Sequence, residues 1–352
     1  GADSGWNMAY QTIAQPYETG PWHAERIWHL DGDPQTEKIK PAWVLPPVGK
    51  LGAGPSGFAY CGAAGWGPEF RGRFFHCNYT GNGGGEPIQL NPKGAAVGIE
   101  GYEEFLKPLS ITDCDFGYDG KLYLSDFVGL DWSGKTRGGR VYTAFDPQLV
   151  AAAETKAVKE MFAAGFKQRA SDELLKLLAH DDMRVRQRAQ FELAARGKDS
   201  LAALTEVAKK HDSLLARVHA IWALGMIGRK DQAAYYSIVP LMQDAHPEIR
   251  TQAARTIGDV RHKPAENGVR RLIERESATL EQPRVLLHAI IALGRIKADA
   301  LPVLVALLRK TNDKFLRHAC VYALSETAKK SEMVALVHDN DAAVRMAAVL
   351  VL

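Results

Sequence analysis

The chain is poor in cysteine, and its cysteines have none of the spacings that a cysteine-based site requires. Only Cys61, Cys77, Cys114 and Cys320 occur in 352 residues, and no two of them form a C-x-x-C pair. A zinc ribbon, a thioredoxin-like site and a C-x-x-C-H haem attachment are therefore excluded within this chain. We expect buried, inert thiols, which is how most free cysteines behave, while any disulfide pairing stays open.

Long apolar runs are also missing. No run approaches the roughly 20 residues that a membrane-spanning helix needs. The first ten residues lack the basic and apolar regions of a signal peptide. Position 1 is glycine rather than methionine, and Leu352 closes the chain inside an apolar run. We interpret the chain as an internal piece of a longer protein.

The composition is ordinary overall but divides into two unlike halves. Hydrophobic residues make up 46% and charged residues 24%, as in soluble globular proteins. Residues 1–150 have a net charge of −5 and hold 25 of the 32 glycines, whereas residues 151–352 have a net charge of +8. This division predicts a multidomain β + α protein with domains 1–146 and 147–352, joined near Asp146. The second domain should begin with a helix that has Asp146 as its N-cap and Pro147 at its first position.

The first half has an internal repeat of short apolar strands. Residues 73–79 (RFFHCNY) align with residues 121–127 (KLYLSDF), and Asp119-Gly120 marks a hairpin before the second copy. A repeat of about 50 residues with several strands is typical of a β-propeller blade. The sequence therefore predicts a partial β-propeller, its C-terminal blades, over residues 1–146.

The second half repeats with a helical period. Six similar helical segments align with one another, and each ends at an apolar residue: Leu193, Leu224, Ile257, Leu293, Leu324 or Leu352. Successive end residues are 31, 33, 36, 31 and 28 positions apart. An arginine lies seven positions earlier in five of the six, at Arg186, Arg217, Arg250, Arg317 and Arg345. Aspartates that can cap the second helix of each pair precede them, at Asp182, Asp212, Asp244, Asp313 and Asp341. The pattern predicts an α-solenoid of six HEAT-like repeats over residues 147–352.

The arginine series has a structural and a functional interpretation. In the structural one, each arginine binds the loop carboxylate of its own or a neighbouring repeat. In the functional one, the series forms a basic groove for nucleic acid, which should combine basic and aromatic residues on one face. Pairs such as Lys209-Lys210 and Arg270-Arg271 have the pattern of solvated helix ends. We therefore favour the structural interpretation and expect no nucleic-acid partner.

The motifs of the first half resemble a known family. They are Gly54–Tyr60, Arg73–Tyr79, Asn91–Ala95, Thr112–Asp126 and Gly138–Tyr142, in that order. The run resembles the large "membrane-bound dehydrogenase" proteins of planctomycetes and verrucomicrobia. Those proteins join a propeller similar to the quinoprotein sugar dehydrogenases to HEAT-like repeats and, commonly, to a c-type cytochrome domain.

The resemblance implies a periplasmic or otherwise extracytoplasmic oxidoreductase. Such a protein would oxidise a sugar or alcohol with pyrroloquinoline quinone (PQQ) and calcium, and would pass electrons to a c-type haem outside this chain. Its catalytic histidine would lie upstream of residue 1. The relatives hold the quinone carboxylates with two arginines, whose positions here are Ser110 and Thr112. Neither residue can form a charge-assisted bidentate pair.

Candidate cofactor-binding residues lie on the strands expected to line the propeller channel. They are Ser56, Thr112 and Asp113, with Asp113 the best single candidate; a structural aspartate bracing the blade is the alternative. Tryptophans that could stack on a sugar or fill the blade core are Trp6, Trp22, Trp28 and Trp43. No metal ligands are predicted from the residues themselves.

Two functions follow. The first is a fragment of a sugar or alcohol dehydrogenase-like protein, itself inactive without the rest of the propeller and the haem. The alternative is a non-catalytic scaffold that binds glycan or protein, with a protein partner on the concave face of the solenoid.

Overall fold

The computed structural model describes residues 55–79, 83–101, 105–127 and 138–352. Among these, one compact unit comprises residues 55–92 and 97–163, and the other comprises residues 93–96 and 164–352. Whether residues 1–146 and 147–352 are separate domains, as the composition suggests, stays a prediction. The four candidate tryptophans, Trp6, Trp22, Trp28 and Trp43, lie outside the described residues.

The first sheet has four strands in the order β1-β2-β3-β4. They are β1 (Pro55–Tyr60), β2 (Phe74–Asn78), β3 (Gly84–Lys93) and β4 (Ala96–Glu100). The β1–β2 and β2–β3 pairs are antiparallel, with Ala59 opposite Phe75 and Phe75 opposite Pro87. Phe75 and Cys77 lie on the face of β2 that packs in the hydrophobic core of this unit, and His76 and Asn78 on the other face are buried too.

The second sheet has three strands in the order β5-β6-β7. They are β5 (Ile111–Phe116), β6 (Leu122–Phe127) and β7 (Gly139–Ala144), with Cys114 opposite Leu124. The predicted Asp119-Gly120 hairpin joins β5 to β6. Gly120 has φ of +81°, a left-handed conformation that glycine adopts without strain, and Asp119 accepts a hydrogen bond from the Lys121 amide.

The prediction of a β-propeller is wrong. The described strands form two small antiparallel sheets of four and three strands, and among the described residues no closed ring of blades is present. The 73–79 and 121–127 repeat does mark equivalent strands, β2 and β6. A local repeat specifies strand–turn–strand pairing, whereas closure of a ring depends on long-range contacts that a local pattern does not encode.

The helical part begins at the predicted position. Helix α1 (Pro147–Ala151) has Pro147 in its first turn, and the Asp146 carboxylate accepts hydrogen bonds from the amides of Gln148 and Leu149 at 2.7 and 3.2 Å. This is the N-cap and proline arrangement that the sequence indicates. Helix α2 (Ala153–Ala164) follows, and its Phe162 ring stacks on Tyr118 with 3.7 Å between ring centroids.

Six helical pairs then follow in series. The first helices are α3 (Ser171–Leu177), α5 (Lys198–Lys210), α7 (Ala233–Ile238, continued by a 3₁₀ turn over Val239–Gln243), α9 (Glu266–Thr279), α11 (Leu301–Lys310) and α13 (Lys330–Leu336). The second helices are α4 (Met183–Ala195), α6 (Leu214–Gly228), α8 (Pro247–Asp259), α10 (Pro283–Arg295), α12 (Lys314–Thr327) and α14 (Ala342–Val351). A short 3₁₀ turn, Lys263–Ala265, precedes α9. The predicted α-solenoid is confirmed.

Each second helix packs against the second helix of the next pair. The five terminal apolar residues of the repeat from Leu193 to Leu324 are at most 1% exposed and form the solenoid core. Asp182, Asp313 and Asp341 cap their helices as predicted. The predictions for Asp212 and Asp244 are wrong: Ser213 and His246 supply the capping atoms, because they stand one and two residues nearer to the first helical turn.

Candidate binding surface

The structure brings the three predicted cofactor-binding residues to one place, where β1 passes β5. The Ser56 hydroxyl donates to the carbonyl oxygens of Ile111 at 2.7 Å and Cys77 at 3.1 Å. A Cβ on Gly57 would lie 2.5 Å from the Asp113 Cα, so the two strands approach closely here. Thr112 bonds the Ser125 hydroxyl at 2.8 Å, and Asp113 accepts from the Cys114 amide.

These residues do not fit the carboxylates of a quinone. Their polar atoms hydrogen-bond within the strands, and none of the three carries the positive charge that a carboxylate needs for a strong pair. Ser110, the other position that replaces an arginine, donates its amide to Asp126 at 2.9 Å. A cofactor role for Ser56, Thr112 and Asp113 stays an untested prediction, as do PQQ, calcium and an extracytoplasmic location.

The arginine series has the structural role favoured above, with one correction. Arg186, Arg250 and Arg345 each donate from one guanidinium nitrogen to two backbone carbonyls of the loop before their own helix, and Arg317 donates to the Thr311 carbonyl. Arg217 binds a loop carboxylate of the next repeat, Asp244, and Arg250 also pairs with Glu276 on the first helix of the next repeat. The loop is therefore held mainly through carbonyls, because these acceptors face the first turn of the helix.

A row of exposed and half-buried side chains crosses the second helices. It occupies the position two residues before each terminal apolar residue of the repeat: Phe191, Trp222, Arg255, Ile291, Tyr322 and Leu350. Equal positions on helices packed side by side lie on one surface. Phe191 is 39% and Trp222 36% exposed, although both are large and apolar. Arg255 is exposed as well, and Ile291, Tyr322 and Leu350 are half-buried. We call this set the exposed row.

Trp222, the second member of the exposed row, is held in a fixed orientation. Its indole N–H donates to Gln252 Oε1 at 2.9 Å, and Gln252 in turn donates to Glu248 at 2.7 Å. Glu248 forms an ion pair with Arg284 on the next second helix. This chain of contacts joins α6, α8 and α10, so the exposed face of the indole is presented by a prearranged support.

A second chain of contacts supports Trp222 from the other side. The His219 ring meets the Trp222 ring edge-on at 5.0 Å, and its Nδ1 lies 2.8 Å from Gln190 Oε1 on α4. Arg186 Nε donates to His219 Nε2 at 3.3 Å, which assigns the neutral ring with its proton on Nδ1. Burial, followed by the charge of Arg186, lowers the pKa of His219 to about 4.

Positive charge exceeds negative charge around the exposed row. The second helices carry four arginines around the row, Arg188, Arg255, Arg284 and Arg295, and three carboxylates, Glu248, Asp259 and Glu326. Arg255 and Arg295 share Asp259, so that carboxylate neutralises only one of them. His288 is affected by the same arginines. Burial first, and then the charges of Arg284 and Arg255, lower the pKa of His288 to about 4.

Comparison with known proteins assigns the solenoid to a repeat class. The family model for HEAT repeats matches residues 171–236 and 237–325. No curated protein matches the chain. None of these matches supports the resemblance to the dehydrogenases or a propeller.

Solved structures with similarity to this chain include three repeat or engineered proteins. The complex of CpcE and CpcF of phycocyanin lyase from Nostoc sp. PCC7120 matches at 19% identity and a TM-score of 0.37, over 51% of this chain and 75% of that chain. An engineered protein matches at 18% identity and a TM-score of 0.32, over 52% and 95%. A designed armadillo repeat protein matches at 17% and 0.32, over 52% and 98%.

The described residues contain neither a membrane-spanning helix nor a cluster of metal ligands. No described helix is both long and apolar enough to cross a membrane. No group of three or more histidine, cysteine or acidic side chains in the described ranges is placed to hold a metal ion.

The exposed row is not among the features predicted from the sequence. Its signal was present, because aligning the six segments on their terminal apolar residues also aligns Phe191, Trp222 and Tyr322. The sequence of an amphipathic helix does not by itself show whether such apolar positions are buried or exposed. That depends on which face of the helix packs against its neighbours. The packed second helices supply that information.

Proposed function

We propose that this protein is a non-catalytic scaffold whose HEAT solenoid binds a protein partner across the exposed row. The observation that carries the proposal is Trp222, exposed at its face while its N–H is bonded to Gln252. Trp, Tyr and Arg dominate the energetic centres of protein interfaces, and all three occur in this row. Successive repeats also provide the extended surface that solenoids use for binding.

The fixed orientation of Trp222 favours binding over a purely structural role. An anchor that is already ordered loses little conformational entropy when a partner docks. A tryptophan needed only for packing would bury its ring, as Trp66 does at 6% exposure in the sheet unit. Trp222 instead buries its polar edge against Gln252 and leaves part of the ring in solvent.

The test is selection of binders from a library of displayed random peptides on the full chain, followed by calorimetric titration of the selected peptides. We expect Trp222→Ala to weaken their binding at least tenfold. The matched control is Tyr236→Ala, because Tyr236 is 59% exposed but lies on α7, outside the exposed row. Equal affinities for wild type and Trp222→Ala, with both proteins folded by circular dichroism, would overturn the proposal.

A further inference from the structure

The spacing of the exposed row restricts the shape of its partner. Packed helices lie about 8–10 Å apart, so neighbouring members of the row repeat at about that distance. A polyproline II segment rises about 3.1 Å per residue with three residues per turn, and it presents one side chain on the same face about every 9.3 Å. A β-strand presents same-face side chains about every 6.6 Å, which does not match the row.

The hydrogen-bonding groups of the row favour the same shape. A polyproline II segment has no internal hydrogen bonds, so its carbonyl groups need donors from outside. The arginines Arg188, Arg255 and Arg295 are donors only, each with five N–H groups. An α-helix satisfies its own carbonyls and would leave these donors without backbone acceptors.

The charge of the surface restricts the composition of the partner. Arg255 stands within the row itself, between Trp222 and Ile291, and shares Asp259 with Arg295. The local excess of arginine over carboxylate complements negative charge, which steers association and disfavours basic partners. Aromatic surfaces are also the usual docking sites of proline-rich segments.

We infer that the exposed row binds an acidic, proline-rich segment of another protein in the polyproline II conformation. This inference rests on the proposed function and adds the chemistry of the partner to it. Prolines at every third position would lie on Phe191, Trp222 and Tyr322, and acidic side chains would pair with Arg255 and its neighbours.

The experiment is fluorescence anisotropy of the full chain with a labelled peptide of five Pro-Pro-Glu repeats, one for each step between the six second helices. We expect saturable binding that weakens at least tenfold in Trp222→Ala and about fivefold in Arg255→Glu. The matched control is Arg271→Glu, which makes the same charge change at an exposed position of α9 outside the row and should leave binding unchanged. The corresponding Pro-Pro-Lys peptide should bind wild type weakly and Arg255→Glu more tightly.

Other outcomes separate this inference from the proposed function. If an acidic amphipathic helix with leucine at every seventh residue binds in a Trp222-dependent way and the Pro-Pro-Glu peptide does not, the inference is overturned and the scaffold proposal stands. Equal binding of the Pro-Pro-Glu and Pro-Pro-Lys peptides would also overturn it. If the displayed library yields no Trp222-dependent binder either, the proposed function fails as well.

Discussion

Arg250 on α8 and Glu276 on α9 form a buried ion pair. The Arg250 Nε lies 2.9 Å from Glu276 Oε1, and the two side chains are only 5% and 4% exposed. Arg250 also donates to the carbonyls of Asp244 and Ala245. The Arg250 guanidinium therefore joins α8, the loop that precedes α8 and helix α9 of the next repeat.

Removing one partner of this pair should strongly destabilise the protein. Glu276→Gln leaves the Arg250 charge buried without its carboxylate, a change that typically costs about 3–5 kcal/mol. The measurement is the free energy of unfolding in urea. The control is Glu206→Gln, which removes the exposed partner of Lys210 and should change stability by less than about 1 kcal/mol. Similar losses of stability in Glu276→Gln and Glu206→Gln would show that other groups stabilise the Arg250 charge.

Stability should fall as the pH is lowered from about 6.5 to about 4. The pKa of His219 is about 4 in the folded protein, whereas an unfolded chain has an ordinary histidine near 6.5. Below pH 6.5 the unfolded state binds a proton that the folded state does not, so unfolding is favoured. Between pH 7 and 5 the His219 contribution is about 2 kcal/mol.

The check compares urea unfolding of wild type and His219→Gln at both pH values. The variant should lose about 2 kcal/mol less than wild type on acidification, even if it is less stable at pH 7. His288 acts in the same direction, so part of the pH dependence should persist in the variant. An unchanged pH dependence would mean that His219 titrates normally in the folded protein.

Arg261→Gly should stabilise the protein. Arg261 lies two residues after the end of helix α8 and has φ of +53°. This left-handed conformation costs a non-glycine residue about 1–2 kcal/mol. Glycine removes this cost but adds unfolded-state entropy, so we expect a net gain of about 0.5–1 kcal/mol in thermal unfolding. Gly197 occupies the equivalent position after α4, but its φ of +63° and ψ of −124° lie outside the left-handed helical region and suit glycine alone, so Gly197→Ala should cost at least as much. A loss of stability in Arg261→Gly would contradict the prediction.

Gly258→Ala should destabilise the protein, although alanine normally improves a helix. A Cβ at Gly258 would lie 2.7 Å from the Ala292 Cα on the neighbouring second helix, where backbone would have to move. Such overpacking costs about 1–3 kcal/mol. At Gly268 a Cβ would meet the flexible end of Met242 at 2.7 Å and the Val239 Cγ1 at 3.4 Å, which are side-chain atoms, so Gly268→Ala should cost less. Chemical unfolding of both variants tests the difference, and equal costs would show that α8 and α10 can separate freely.

The local features of the fold follow from the sequence. The helical period, the terminal apolar residues from Leu193 to Leu324, the Asp146–Pro147 helix start and the Asp119-Gly120 hairpin all lie where the pattern predicts them. Each depends on interactions within a few residues, such as a cap bond or a turn conformation. Short-range chemistry of this kind is readable from one chain.

The tertiary structure decided the arrangement of the strands and the location of the candidate surface. Two sheets with equivalent strands replaced the expected propeller, because pairing within a sheet is local whereas ring closure is not. Trp222 became a candidate anchor only once α8 placed Gln252 against its indole, across 30 positions of sequence. Which face of an amphipathic helix stays exposed depends on the helices that pack against it. Those contacts are tertiary, so the sequence pattern alone does not give them.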